Sequence, residues 1–494
     1  MLACNRWNLA AVGLVLATAA LGIRGIGRSL WLDEAWVANS IAAPSLHDTF
    51  YYPQWLQTSP PLFLLAARGA VHLLGLSNVS LRIVPLIFAL LAVAGFLVVV
   101  TRIVSPSIAI LAGALLVFSP ATIEYAHSSK QYSGELLATV LILGAAISYL
   151  RSPSRRRYYW LTATMAVALP LAYSSVFLLP GVFLAVYREN RRPALLAGVT
   201  GGVLAILYIF FIRPNYSPDL HRFWEIDTEG GFSPGLIAEI CFVFLAAARV
   251  AFSLITKRSG WRVWTQILCV LPCLLLTGAS EMGWYPLTYR TRLFVIPCFL
   301  LLAAINLDDL LNWMGRRMKL LGGAGVSVAV GLLSLAVALA GIKTQFRHNV
   351  SAPKEDVAGA VAFLQRKSAA QDLILVHPSA VESFVLYARM YGWNMPPAIY
   401  GDTGWPCCPR GKDWRPGVST ENLVNADIDR MVPSGYTGRI WMLYTIRPAH
   451  WNYTWQGESQ MWTYHLAERG CHISPVNRQF ENLEISIADC APIR

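Results

Sequence analysis

What this chain lacks is charge. Only 14% of its 494 residues are Asp, Glu, Lys or Arg, against roughly a quarter in water-soluble domains, and that excludes an ordinary soluble enzyme. Lysine is nearly missing from the first half, where Lys130 is the one lysine ahead of Lys257. No CxxC spacing or matching histidine pair occurs, so the sequence offers no zinc site of the familiar kind. No internal repeat is visible, which counts against transporter folds built from paired halves. The first apolar run, 9–23, has no small-residue cleavage site ahead of Arg24, so it reads as a retained signal-anchor.

What the chain has is hydrocarbon. Hydrophobic residues make up 55% of it, the mean hydropathy is +0.47, and apolar runs recur to about Ile342. Such runs must be helices, because lipid offers no partner for free backbone groups. The net charge of +12 could suggest nucleic acid, but the basic residues sit in short loops: Arg151 with Arg155, Arg156 and Arg157; Arg188 with Arg191 and Arg192; Lys257 with Arg258 and Arg262; Arg316 with Arg317 and Lys319. That is the signature of cytoplasmic loops, and no nucleic-acid partner is expected.

These loops constrain the topology. Clear spans are 9–26, 83–100, 107–123, 134–150, 194–212, 235–255, 264–277, 293–307 and 321–342. The stretch 60–75, "PPLFLLAARGAVHLLG", is short and carries Arg68 and His72. If it crossed, "RSPSRRRYY" would fall outside, so it is read as a juxtamembrane or re-entrant helix within an outer loop, 27–81. The piece 160–187 lies between two basic loops and must cross an even number of times. A hairpin of two short helices meeting at Tyr173, Ser174 and Ser175 fits it. The expectation is a polytopic α-helical membrane protein of about eleven spans, placed in the plasma (bacterial inner) membrane with its N-terminus in the cytoplasm. Residues 1–342 form the membrane domain.

Residues 343–494 change character. Helical periodicity at 354–366 and 379–391 alternates with strand-like runs at 372–377, 439–445 and 483–488, which predicts a small α/β domain outside the cytoplasm. It carries Cys407, Cys408, Cys471 and Cys490, a set that admits three full connectivities. A vicinal bridge is strained, so the preferred pairing joins Cys407 or Cys408 to Cys471 or Cys490.

Three outer-face clusters could carry chemistry. In "SLWLDEAW", 29–36, Asp33 and Glu34 stand between tryptophans where the first helix leaves the bilayer. Charge is costly there and marks a functional candidate, although an interfacial anchor with both carboxylates in water would look alike. In "EYAHSSKQYS", 124–133, Lys130 stands beside Tyr125, His127 and Tyr132. This cation suits a phosphate headgroup, and a snorkelling lysine is the plainer alternative. In "YRTRLFVIP", 289–297, Arg290 and Arg292 could clamp a lipid phosphate or simply meet anionic headgroups. The loop 213–233 adds His221, Arg222, Trp224, Glu225 and Asp227, read mostly as solvated.

Taken in order, these motifs resemble the GT-C membrane glycosyltransferases that draw sugars from polyprenyl phosphates. The likeness is to the branch with protein O-mannosyltransferases and lipid A aminoarabinose transferases. "LWLDEAW" matches the family's acidic motif after the first span, and "SPPLFLL" its "PPLYY"-like helix. "YAHSSKQY" is similar to a "YSQEARPY"-like stretch, with Lys130 at the basic position. Arg290 and Pro297 fit the ends of an "RYLLPLLP"-like stretch. The sequence departs from the pattern at Ser128, where glutamate is usual, and at Thr291, where tyrosine is usual.

The resemblance implies inverting transfer of a sugar from a polyprenyl-phosphate donor to a hydroxyl of a lipid, glycan or protein acceptor, at the outer face among membrane lipids. It assigns Asp33 the role of catalytic base and leaves Glu34 to shape the site. No cofactor is expected. A divalent metal, used in parts of the wider superfamily, finds no convincing ligand set. A transporter or flippase of a lipid-linked substrate, and a non-catalytic membrane-anchored binding or assembly protein, are the alternatives from other classes.

Overall fold

The computed structural model describes residues 6–190, 193–216, 234–256, 260–288, 290–318, 332–334, 336, 339, 355–377, 380–393, 398–400, 428–445, 455–476 and 480–491. It is mainly helical, with one small sheet near the C-terminal end.

The membrane part begins with α1 (Arg6–Gly25), then α2 (Leu32–Ile41), α3 (Leu46–Phe50), α4 (Pro61–Leu74) and α5 (Asn78–Val100). It continues with α6 (Pro106–Val117), α7 (Pro120–Ala126), α8 (Tyr132–Arg151), α9 (Arg155–Leu171), α10 (Leu179–Asn190) and α11 (Ala194–Leu207). The last three are α12 (Pro234–Ile255), α13 (Trp261–Glu281) and α14 (Ile296–Met318). Local chemistry sets many of the boundaries. Pro61, Pro106 and Pro120 open α4, α6 and α7, the position where a missing N–H costs nothing. At α5, Ser77 and Ser80 cap one another reciprocally, satisfying two otherwise orphaned donors.

Every clear span expected within the described residues is helical. The 160–187 piece is α9 and α10, broken by a 3-10 turn at Tyr173–Leu178, where the hairpin was expected. The run 107–123 is instead a pair, α6 and α7, bent by 59°. Among the described residues, six helices are long and apolar enough to cross a membrane, or up to seven if the bent pair is one span. Length and composition therefore do not establish the expected eleven. The stretch 60–75 is the 14-residue α4, about 21 Å long and short of a bilayer core of about 30 Å. The run 321–342 lies almost wholly outside the described residues.

The C-terminal domain contains α15 (Val357–Lys367), β1 (Leu373–Val376), α16 (Val381–Met390), β2 (Ala398–Tyr400), β3 (Gly438–Thr445), α17 (Trp455–Glu468), β4 (Cys471–Pro475) and β5 (Leu483–Cys490). The strand order is β2-β1-β3-β5-β4, with β1 parallel to β2 and β3, and β5 antiparallel to β3 and β4. Alternation along the strands gives the sheet two apolar faces. Leu375, Ile440 and Met442 pack with Trp462 and Leu466, whereas Ile374, Val376, Trp441 and Leu443 share a core with α15, α16 and the membrane helices. The domain is thus packed onto the bundle.

The disulfide corrects the sequence reading. Cys471 bonds to Cys490, so neither is available to Cys407 or Cys408, which lie outside the described residues. The reason is register: β4 and β5 are antiparallel neighbours that place these two cysteines directly opposite.

Candidate functional site

The site is built on α2. The backbone leaves α1 at Gly25, where an added Cβ would stand 2.6 Å from the His127 ring, so only glycine permits this approach. Asp33 and Glu34 then fall in the first turn of α2. Adjacent helical residues point about 100° apart, and the two carboxylates accordingly meet different partners.

Glu34 points inward and is fully buried. Its Oε1 accepts from Arg82 Nε at 2.8 Å and from the Ser129 N–H at 2.7 Å, and its Oε2 accepts from Arg82 Nη2 at 2.6 Å. Burial alone would raise its pKa. Arg82, with help from Arg28 and Ser129, reverses that and holds it down at about 2. Arg82 also donates to the carbonyls of Ile26, Arg28 and Ser29. Glu34 thereby ties α2 to α5 and to the 128–131 turn that carries Lys130.

Asp33 faces the partly open side. Its Oδ2 accepts from Arg290 Nη1 at 2.6 Å, and both side chains keep some exposure. Lys130 lies in the same electrostatic neighbourhood. Burial lowers its pKa, Asp33 and Glu34 oppose that, Arg290 adds to it, and the net direction is down. Tyr125 and Tyr132 flank the turn with ring centroids 4.6 Å apart. Ser133 Oγ donates to the Tyr125 carbonyl and fixes the hinge between α7 and α8.

Of the sequence candidates, Asp33, Lys130, Arg290, Tyr125 and Tyr132 come together. His127 is buried against the end of α1. Arg292 lines a different space, a cavity of about 440 Å³ with largely apolar walls, among them Leu115, Val243, Leu276 and Phe299. The candidates His221, Arg222, Trp224, Glu225 and Asp227 lie outside the described residues. Among those residues, no cluster of three or more His, Cys, Asp or Glu side chains could hold a metal.

Sequence reasoning missed the residues that hold this site in place. Arg82 was available as a charge at the head of an apolar span. Arg28 was overlooked too; burial is the main cause of its lowered pKa, and its Nε and Nη2 atoms have no hydrogen-bond partner among the described residues. The C-terminal domain also contributes. Trp31, the N-cap residue of α2, supplies no side-chain cap; instead Glu355 Oε2 accepts from the Leu32 N–H at 3.3 Å. The Tyr387 hydroxyl accepts from the Leu30 N–H at 2.6 Å and donates to Asn78 Oδ1 at 2.9 Å. Burial pushes the Tyr387 pKa up to about 12, so it remains a neutral donor. Ser29 Oγ accepts from the Ala358 N–H, and Asn39 donates to the Glu382 carbonyl.

No family model matches this sequence, and no curated protein matches it. Solved structures do match. ArnT from Cupriavidus metallidurans bound to undecaprenyl phosphate superposes with a TM-score of 0.58 at 14% identity, over 98% of each chain. The apo state of the same protein gives 0.56 at 15% identity, again over 98% of each. The Archaeoglobus fulgidus oligosaccharyltransferase, in complex with Zn and sulfate, gives 0.50 at 11% identity over 77% of this chain and 61% of its own. At these identities the likeness concerns the fold.

Proposed function

We propose, from a chain that has the GT-C fold, that this is a membrane glycosyltransferase moving a sugar from a polyprenyl-phosphate donor to an acceptor hydroxyl. The observation that carries the proposal is the Asp33–Arg290 pair with Lys130 beside it; Arg290 is two residues along the chain from Arg292, which lines the separate apolar cavity. A phosphate ester with an isoprenoid tail needs that combination: cations for the headgroup and hydrocarbon walls for the first tail units. One of the matched structures holds undecaprenyl phosphate, which supports this ligand class.

The chemistry follows from the placement. The acceptor oxygen attacks the anomeric carbon while the bond to the phosphate oxygen breaks. The bond's electron pair leaves with the phosphate, where Arg290 and Lys130 balance the growing charge. Asp33 takes the acceptor proton. A single displacement of this kind inverts the anomeric centre. Glu34, neutralised by Arg82, holds the geometry and takes no proton. The proposed site is on the outer face of the membrane, a placement the distribution of basic loops supports, and the proposed acceptor is a lipid, glycan or protein.

The test is turnover of a radiolabelled lipid-linked sugar, measured beside binding of that lipid to the same preparation. Asp33→Asn should lose about 10²- to 10⁴-fold in rate while binding survives, because the cations are intact. Lys130→Met should weaken donor binding by roughly 1.5–3 kcal/mol. Normal turnover in Asp33→Asn would remove it as the base. A protein that only binds or carries the lipid would retain full function in that variant.

A further inference from the structure

A second cavity, more polar than the first, lies at the other end of the bundle. It has a volume of about 270 Å³ and is walled by the C-terminal ends of α5 and α8 and the start of α9. Counting along α8 from Tyr132 to Arg151, it is about 30 Å from the Asp33 site.

Three guanidinium groups, those of Arg102, Arg151 and Arg157, line it, and no carboxylate does among the described lining residues. Two are oriented by the backbone: Arg151 Nη1 donates to the Arg102 carbonyl at 3.0 Å, and Arg157 Nη1 to the Ser152 carbonyl at 2.7 Å. Arg151 also lies over the Trp261 ring at 5.0 Å. Like charges gathered in one concavity repel, and the repulsion falls when an anion sits between them. Positive residues are ordinary at a membrane face, but their convergence on a pocket is not explained by that preference.

The walls identify the kind of anion. On α8, Leu141, Gly144, Ser148 and Arg151 fall on one helical face by their spacing of three and four residues, and they run from apolar to charged. Leu141 is exposed on the bundle surface, as is Val98 beside the lining residue Val99 on α5. Gly144 keeps the groove narrow-walled: an added Cβ would reach Val99 Cγ2 at 3.2 Å. A ligand here has an oxyanion head at the arginines and a hydrocarbon body along Val99, Ile147 and Leu141.

We infer that this pocket binds the phosphodiester headgroup of an anionic glycerophospholipid, on the membrane face opposite the catalytic site. Basic pockets between transmembrane helices hold such headgroups through charge-assisted hydrogen bonds. The shared chemistry is a phosphate oxyanion, and the apolar wall favours the lipid over free phosphate.

The test uses the delipidated full chain in detergent, titrated separately with dioleoyl phosphatidylglycerol, dioleoyl phosphatidylcholine and inorganic phosphate, with bound copies counted by native mass spectrometry. Wild type should retain phosphatidylglycerol saturably. Arg102→Gln with Arg157→Gln should weaken that retention about tenfold or more, while Arg102→Lys with Arg157→Lys keeps most of it. The thermal midpoint of each lipid-free variant reports folding. Equal phosphatidylglycerol retention by wild type and the Gln pair would overturn the assignment, as would equal retention of phosphatidylcholine. Inorganic phosphate competing as well as the lipid would overturn the lipid as its source.

Discussion

At the scale of residues, two adjacent carboxylates that look interchangeable in sequence have opposite surroundings. Asp33 shares a partly open site with Arg290, and Glu34 is sealed against Arg82. Removing one member of a buried pair leaves the other charge uncompensated, at a cost of about 3–5 kcal/mol. Glu34→Gln should therefore lower the thermal midpoint at neutral pH, where Asp33→Asn changes it little. The pH dependence has a definite sign. The Glu34 pKa falls from 4.5 to about 2 on folding, so its stabilisation is complete above pH 4.5 and is lost as the pH drops toward 2. Midpoints measured across that window should slope in wild type and be flatter in Glu34→Gln. Parallel curves would contradict the assignment.

At the scale of elements, α2 is a short helix whose first N–H, and the stretch of chain leading into it, are held by residues of the C-terminal domain. Leu32 is 323 residues from Glu355, and Leu30 is 357 from Tyr387. No local pattern encodes such pairs, which is why the membrane domain's motifs were legible and their support was not. Strand β4 was missed for a related reason. "CHISP" is short and ends in proline, and with it went the Cys471–Cys490 register. By contrast β1, β3, β5, α15 and α16 were legible from periodicity, because each buries a regular face. The clamp on α2 leads to a kinetic expectation. Tyr387→Phe removes the hydroxyl that holds Leu30, so the orientation of Asp33 should loosen and kcat should fall several-fold. The KM for the donor should hardly change, since Lys130 and Arg290 are elsewhere. An effect confined to KM would argue against the clamp.

At the scale of the whole molecule, the sequence signals were hydrocarbon length and arginine placement, and they separated the helices well. The number of crossings was less legible, because α4, α9 and α10 are too short for length to decide. The site's elements α2, α7–α8 and the Arg290 turn share one end with the C-terminal domain, and the arginines of α8 and α9 lie at the other. The sequence reading expects the first end outside and the second in the cytoplasm. Single cysteines introduced at 77–80 should therefore react with an impermeant thiol reagent from outside intact cells, and those at 152–154 only after permeabilisation. The reverse pattern would invert the orientation.

The Asp33–Arg290 contact also has a temporal meaning. In the structure, the carboxylate proposed as the base is already engaged by the cation proposed to hold the phosphate. An acceptor arriving first meets an occupied carboxylate, whereas an arriving phosphate competes for the guanidinium and releases it. Substrates should then add in compulsory order, lipid-linked sugar before acceptor. Free polyprenyl phosphate, the last species to leave, should inhibit competitively against the donor and noncompetitively against the acceptor. On the proposed mechanism, the same interlock would keep the resting protein from activating water or a stray hydroxyl between turnovers. Idle hydrolysis of the donor should accordingly rise, relative to transfer, in any variant that loosens the turn carrying Arg290.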